Sequence, residues 1–240
     1  MRSLFIGLLA LIMTQTATAQ FGVSVLHQSS QDGYQTSATP NGGTFGSGFE
    51  VGADYWFRLK NKRIEFLPTF SYGRYAETYP ELRFAENIEV AGSGDFSFTS
   101  QQIGFQFKTN FYLLDFGTDC DCPTFGKQGP ALHKGFFVQL APGILYQSLT
   151  ANYTAFAEEV KENQFIPTVS LGLGLDFGVS NLITITPLVS YRFALTEQNW
   201  NGLYPERVLN PFLENDLPAR RSSALQAGIR LGIRLDERRY

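Results

Sequence analysis

The segment from Thr168 to Val179, TVSLGLGLDFGV, alternates strictly between large apolar side chains and small or polar ones. Successive side chains of a β-strand point to opposite faces, so this alternation predicts a strand with one hydrocarbon face. The second face carries glycines, hydroxyl groups and the carboxylate of Asp176. Which surroundings suit these two faces has to be decided from the rest of the chain.

The same period of two recurs along most of the sequence, and no segment shows a convincing helical period. Alternating segments lie at about 21–26, 45–57, 64–73, 102–111, 136–146, 168–179, 183–193 and 225–234. The sequence therefore predicts an all-β fold with eight strands.

The connections between these strands alternate in length. Long ones are predicted at about 29–43, 77–95, 151–163 and 196–221, and very short ones at 60–62 and 180–181, with an exception at about 114–134. Long loops at one end and tight turns at the other are typical of barrels that cross an outer membrane. We therefore expect an eight-stranded antiparallel up-and-down transmembrane β-barrel.

The polar positions contain mostly Gly, Ser, Thr and Gln, which would gain little by facing water but fit the crowded lumen of a small barrel. The large apolar residues would then face lipid, with aromatic residues near the strand ends as at membrane interfaces. These aromatic residues are Phe45, Tyr55, Phe136, Tyr146, Phe165 and Phe177.

Four prolines fall inside the predicted strands, where each removes one ladder donor. They are Pro68, Pro142, Pro167 and Pro187. A closed barrel has no free edge at which the missing donor is harmless, so we expect these prolines at bulges or near strand ends.

The composition agrees with an exported membrane protein. Only 17 % of the 240 residues are charged, and the net charge of −3 gives no reason to expect nucleic acid as a partner. The first residues join Arg2, an apolar core and the small-residue site Ala17-Thr18-Ala19, as in a secretory signal peptide. We predict a cleaved signal peptide at 1–19, a barrel domain at 20–240 and a location in the cell outer membrane.

The ending of the signal, TATAQ, the eight alternating segments and the last strand, GIRLGIRL, resemble the small outer-membrane β-barrel domain family that includes the PorT-like group. The resemblance implies an integral protein of the Gram-negative outer membrane. It implies no single activity, although some members are associated with secretion or assembly machines. The terminal Tyr240 is similar to the aromatic signal read by barrel-assembly machinery, but four charged residues, 236–239, separate it from the alternation.

Charged residues of both signs share the positions predicted to face the lumen. They are Glu50, Asp54, Glu65, Lys108, Asp176, Arg192, Arg230 and Arg234. Buried charges are costly unless paired, so we predict a salt-bridged filling of the barrel. A charged pathway for a small solute or for protons is the alternative, but the diameter of an eight-stranded barrel disfavours an open pore.

Catalysis and metal binding find little support. His27 and His133 are expected at opposite ends of the barrel, so they cannot share a site, and we predict neither an enzyme nor a cofactor. Cys120 and Cys122 could bridge each other in a strained ring or bridge another chain. With neighbouring carboxylates they are still short of a complete zinc site, and we predict no metal.

The connection at 196–221 is unusually apolar for a loop. Its large residues are Trp200, Tyr204, Leu209, Phe212, Leu213 and Leu217. It could cover the barrel or bind a partner protein. We expect contacts with outer-membrane lipid, with barrel-assembly machinery during biogenesis, and with a protein partner through the outer loops or the 114–134 turn. The favoured function is an accessory interaction protein of an assembly or secretion complex. A narrow solute channel is the alternative, and an outer-membrane enzyme is less favoured.

Overall fold

The computed structural model describes residues 20–30, 46–58, 63–79, 96–115, 131–153, 158–180, 182–198 and 221–234. Within these ranges the chain forms eight strands. They are β1 Gln20–Ser30, β2 Ser47–Tyr55 with its continuation Phe57–Arg58, β3 Ile64–Tyr79, β4 Phe96–Phe111, β5 Phe136–Tyr153, β6 Glu158–Leu175 with its continuation Phe177–Gly178, β7 Ile183–Ala194 and β8 Ser223–Arg234.

The strands close into a barrel. Each strand pairs antiparallel with the next one along the chain, and β8 pairs with β1 from Gln20–Arg234 to Ser30–Ala224. The predicted eight-stranded antiparallel barrel is thus confirmed. We call the end at which β1 begins and β8 ends the turn end, and the opposite end the mouth.

Two short helical segments lie in the described parts of the third turn, a 3-10 turn at Leu113–Asp115 and helix α1 at Ala131–Gly135. Neither segment is predicted by the sequence pattern. No helix in the described ranges has the length and apolar content needed to cross a bilayer.

The burial of the strands alternates as the sequence predicts. In β8, Leu225, Ala227, Ile229, Leu231 and Ile233 lie on the outside, whereas Gln226 and Arg230 are buried inside. Over the length that all eight strands share, the other strands follow the same rule, so this part of the barrel has an apolar outside and a largely polar lumen. This is the reverse of a soluble barrel and the arrangement of one that spans a membrane.

The expectation that the prolines lie at bulges or near strand ends is wrong, because all four lie inside strands and none is at a bulge. Pro68, Pro142 and Pro187 lie inside long strands, and the register on either side of each is unchanged, so there is no bulge. Instead, the ladder is interrupted on one side only. It lacks the pairs next to Pro68 on the β2 side, next to Pro142 on the β4 side and next to Pro187 on the β6 side.

These gaps explain why β2 and β6 are each interrupted by one residue. Trp56 lies opposite the Pro68 region and Asp176 lies opposite the Pro187 region. A proline has no N–H to donate, so the strand facing it loses its partner there. Pro167 lies in the middle of β6 and pairs with Ile144 of β5, while the β6–β7 ladder stops beside it at Thr168–Ala194.

The predicted long connection at 151–163 is also wrong. β5 continues to Tyr153 and β6 already begins at Glu158, and these two residues pair. Strands β3 to β6 have 16 to 18 residues, whereas β1, β7 and β8 have 11 or 12. The additional residues lie at the mouth, where the β1–β2 and β7–β8 ladders end at Ser29–Ser47 and Phe193–Ser223.

We call this projecting sheet, residues 73–79, 96–102, 147–153 and 158–164, the extension. Its outer face begins at a sharp change of polarity. The last apolar row on the outside consists of the paired residues Tyr72, Ile103, Tyr146 and Phe165. The next row that faces outside, one step nearer the mouth, consists of Arg74, Gln101, Ser148 and Asn163. The outside of four neighbouring strands thus changes from apolar to polar within a single row.

Candidate functional site: the charged lumen

The lumen collects charged side chains from six strands. Seven of the eight predicted lumen charges are buried there: Glu50, Asp54, Glu65, Lys108, Asp176, Arg192 and Arg230. The eighth, Arg234, ends β8 at the turn end, where its backbone pairs with Gln20, and its side chain lies outside the described part of the structure. The alternation places these residues inside, and the ladder registers decide which of them meet.

The first group lies near the mouth and centres on Glu50, which is 2 % exposed. Arg192 of β7 donates to both carboxylate oxygens of Glu50 of β2, at 3.0 and 2.8 Å. The Tyr75 hydroxyl and the Gln226 amide donate to the Gln28 carbonyl oxygen at 3.0 and 3.1 Å, and both also reach Glu50. The ion pair is therefore surrounded by neutral hydrogen-bonding groups.

The second group lies one layer nearer the turn end. Arg230 of β8 donates to both oxygens of Asp54 of β2, from Nε at 2.8 Å and from a terminal nitrogen at 2.5 Å. Such a two-point contact is the strong geometry for a guanidinium and a carboxylate. Gly22 makes room for it, because a Cβ at this position would collide with the Arg230 guanidinium and lie only 2.6 Å from Asp54 Oδ2.

The third group closes the turn end around Tyr112. The Tyr112 hydroxyl lies 2.8 Å from Glu65 Oε2 and 2.5 Å from Asp176 Oδ2, so it can donate its hydrogen to either carboxylate. Thr186 donates a further hydrogen bond to Asp176. The Arg63 guanidinium lies 4.8 Å from the centre of the Tyr112 ring and donates to the backbone carbonyl of Lys134.

Tyr112 and Arg63 are members of this group that sequence reasoning missed. Both lie just beyond a predicted strand end, and Arg63 directly follows the predicted turn at 60–62. Continuing the alternation by one residue, from Phe111 to Tyr112 and from Ile64 back to Arg63, would have placed both side chains inside.

Lys108 projects from β4 into the middle of the lumen and is 8 % exposed. Its ammonium belongs to neither ion pair. Its charge is attracted by Glu50 and Asp54 and repelled by Arg192 and Arg230. Among the described charged residues that are buried, the four cations Arg63, Lys108, Arg192 and Arg230 balance the four anions Glu50, Asp54, Glu65 and Asp176.

The remaining candidates lie elsewhere. His27 is on the lipid-facing side near the mouth, with its ring 5.5 Å from that of Phe49, and His133 is exposed in α1 at the turn end. The structure therefore keeps the two histidines apart. Cys120, Cys122 and the six large apolar residues Trp200, Tyr204, Leu209, Phe212, Leu213 and Leu217 lie outside the described residues.

Solved structures with a similar fold include outer-membrane and surface proteins. Neisserial surface protein A (NspA) is 10 % identical, with a TM-score of 0.45, and the match covers 91 % of this chain and 98 % of that one. A major outer membrane protein from Thermus thermophilus is 12 % identical, with a TM-score of 0.46 and coverage of 90 % and 99 %. The attachment invasion locus protein Ail of Yersinia pestis, solved with the heparin analogue sucrose octasulfate, is 12 % identical, with a TM-score of 0.39 and coverage of 90 % and 97 %.

No protein-family model matches the chain, and no curated protein matches it. At such low identities, likeness to solved structures concerns the fold alone. The description of this protein as a transmembrane β-barrel rests on its own ladders, its apolar outside and its polar, charge-balanced lumen.

Proposed function

We propose that this protein is an integral outer-membrane barrel with a filled lumen that acts as an interaction protein through its extension. In this proposal residues 1–19 are a cleaved signal peptide, the barrel domain begins at Gln20, the turn end faces the periplasm and the mouth faces outside. Short turns in the periplasm and longer connections outside are the usual arrangement of such barrels.

The observation that carries the proposal is the extension itself. Four strands continue as a paired sheet beyond the row at which their outer face stops being apolar. A sheet that only had to cross the membrane would end there, as β1, β2, β7 and β8 do. The polar outer face of the extension is therefore available to a partner in the water outside the membrane.

The filled lumen supports an interaction role over transport. The ion pairs Glu50–Arg192 and Asp54–Arg230 and the group around Tyr112 occupy successive layers of the barrel. An eight-stranded barrel has room inside for little more than its own side chains. A narrow solute channel stays the second candidate, and the feature that favours it is the mid-lumen cation Lys108.

The finer predictions from the sequence keep their place within this proposal. They are membership of the PorT-like group, a role in a secretion or assembly complex, and contacts with assembly machinery, outer-membrane lipid and a protein bound by the outer loops or the 114–134 turn. Catalysis is not part of the proposal, because the two histidines lie at opposite ends of the barrel.

Site-specific photo-crosslinking in intact cells tests the proposal. A photoreactive amino acid at position 163, on the outer face of the extension, should give one predominant protein adduct. The same residue at position 171, in the middle of the apolar outside, is the matched control and should give lipid adducts instead. The proposal fails if both positions give the same adducts, or if position 163 gives none while purified barrels conduct ions in planar bilayers.

A further inference from the structure

The last strand of the extension, β6, is paired on one side only near the mouth. It pairs with β5 as far as its first residue, Glu158, but its ladder with β7 stops at Thr168. Beyond that ladder, the Leu195 N–H donates a hydrogen bond to the Pro167 carbonyl oxygen, at 2.8 Å. Among the described residues, no further ladder covers this side of β6. We call residues 158–163 the free edge.

Every second residue of the free edge turns its backbone N–H and C=O groups away from β5. The Pro167 carbonyl oxygen faces the β7 side, and backbone groups of a strand face the same side at every second residue. Those of Glu159, Lys161 and Asn163 therefore point out of the sheet edge. The three side chains are exposed, and these backbone groups make no hydrogen bond with another described residue.

Pro167 lies at the base of this edge. It pairs with Ile144 of β5 without a change of register, because its ring replaces an N–H that would point away from β5. On the opposite side of the extension, β3 continues past its last pair with β2 only from Ala76 to Tyr79. The long unpaired side of the extension is therefore the one formed by β6. Exposed backbone donors and acceptors of this kind are a template for a further strand.

A second copy of this chain does not fit the free edge. In a symmetric dimer, two barrels inserted the same way are related by an axis along the membrane normal, so their β6 strands run in the same direction. Antiparallel pairing would require one inverted barrel. Parallel pairing about this axis would join the outer face of one extension to the inner face of the other. These faces differ, since Leu149 and Ala151 are fully buried on the inner face whereas Ser148 faces outward.

The charges of the free edge define the strand that fits it. The segment 158–162 holds three glutamates and one lysine. Glu159 and Lys161 lie on the outer face, and Glu162 lies on the inner face. Opposite charges directly across a ladder stabilise a strand pair, whereas like charges destabilise it. A matching strand therefore carries a cation opposite each glutamate and an anion opposite Lys161, which makes it basic overall.

We propose that the free edge binds an extended, basic segment of a partner protein as an additional antiparallel strand. Glu159, Lys161 and Asn163 each exchange two backbone hydrogen bonds with the residue opposite. The backbone bonds supply affinity, and the alternating charges supply selectivity. This inference rests on the proposed function as an interaction protein, and it assigns the binding surface to one strand edge and the partner to one class of peptide.

Hydrogen exchange with a synthetic peptide tests the proposal. The probe is acetyl-Tyr-Thr-Thr-Lys-Glu-Val-Lys-Thr-amide, which places a lysine opposite Glu162 and Glu159 and a glutamate opposite Lys161. With the barrel in lipid nanodiscs, the peptide should slow exchange of the amides of residues 159, 161 and 163 in a saturable way. The amides of Val160 and Glu162 face β5, so their exchange should stay unchanged.

Two N-methylated forms of the probe are the matched ligand controls. One is methylated at its third, fifth and seventh residues, whose N–H groups would bond to the free edge. The other is methylated at its second, fourth and sixth residues, whose N–H groups would point away. The first should bind about a hundredfold more weakly than the probe, because three hydrogen bonds worth about fivefold each are lost. The second carries the same charge and should bind like the unmodified probe.

A pair of variants at one position adds a protein control. Lys161→Pro removes one N–H from the free edge but none from the β5 ladder, as at Pro167. Lys161→Thr removes the same charge and keeps the N–H. The proline variant should therefore bind the probe about fivefold more weakly than the threonine variant. A gel shift on boiling shows that both variants form closed barrels.

Each result of these titrations decides for or against the additional strand. Equal binding of the two methylated forms would mean that charge alone attracts the peptide, and it would overturn the proposal, as would a peptide that does not bind at all. Slow exchange of the three amides in the free, monomeric barrel would mean that the chain covers its own edge. The same slow exchange in a dimer would assign the edge to a second copy, and either result overturns the proposal.

Photo-crosslinking in cells separates this inference from the proposed function. With the photoreactive residue at position 163, the protein adduct should be lost in the Lys161→Pro variant and kept in the Lys161→Thr variant. An adduct that forms equally in both variants would overturn the free edge as the binding surface and leave the interaction role standing.

Discussion

The buried ion pairs join the second strand of the barrel to the last two strands. Asp54 meets Arg230 in a two-point contact, with Gly22 leaving the space that the guanidinium fills. A buried pair adds little stability compared with apolar residues of the same size, but removing one partner leaves an uncompensated charge. Replacing one partner should therefore destabilise the barrel much more than replacing both partners together.

Arg230→Leu should lower the free energy of unfolding of the barrel by about 3–5 kcal/mol, because Asp54 stays buried without its partner. Urea unfolding of the purified protein in lipid vesicles measures the change. The double variant Asp54→Leu with Arg230→Leu is the control and should recover most of the loss. An Arg230→Leu variant that assembles better than the wild type would show that Arg230 faces lipid and not the lumen.

Which residues face the lumen could be predicted from the sequence, whereas their contacts could not. Alternation alone places Glu50, Asp54, Arg192 and Arg230 inside. It does not say that Glu50 meets Arg192 and Asp54 meets Arg230, because that choice depends on the registers of all the ladders between them. Tyr112 shows the other limit, since its role appears only when the alternation is continued past the strand end.

At the scale of the strands, the prolines show how a barrel accommodates a missing donor without a bulge. Three of them interrupt one neighbouring ladder while the other ladder continues in register. The sequence predicts a geometric distortion, because a bulge is the common place for a proline within a sheet. Here the strands on both sides are long enough to hold the register across a gap.

Pro187→Thr should close the gap next to Asp176 by restoring an N–H donor to β7. We expect the free energy of unfolding to rise by about 0.5–1.5 kcal/mol, the contribution of one hydrogen bond. Hydrogen exchange should show a new protected amide at position 187. Val189→Thr is the matched control, because Val189 faces outward on the same strand and already has an N–H in the ladder opposite Leu173, and it should give no gain. Equal gains at the two positions would contradict this account of the gap.

The extension explains why the predicted loop at 151–163 is wrong. Within the apolar belt most large hydrophobic residues face outward, but in the extension they face inward. Leu149 and Ala151 of β5 are fully buried, while Ser148 and Thr150 face outward. The alternation thus changes its phase where the surrounding solvent changes from lipid to water. In such a strand the apolar residues lie on the outer face in one part and on the inner face in the next. The regular alternation is therefore broken in the sequence, and the segment resembles a loop.

At the scale of the whole molecule, the same boundary fixes how the barrel sits in the membrane. Leu171→Arg, in the middle of the apolar belt, should cost roughly 2–4 kcal/mol of stability. Asn163→Arg, on the same strand and the same face but in the extension, should cost close to nothing. Urea unfolding in lipid vesicles measures both. Similar costs at the two positions would mean that the membrane boundary does not lie at Phe165.

The lumen contacts also make the stability of the barrel depend on the presence of its last two strands. Glu50 and Asp54 belong to the second strand, and their partners Arg192 and Arg230 belong to the last two strands. A chain that ends early would carry both carboxylates into the lumen without compensation, at a cost of several kcal/mol for each. The pairs therefore discriminate against truncated copies. Only a complete chain neutralises the two carboxylates of its second strand. Incomplete copies of this barrel are therefore less stable in the membrane than complete ones.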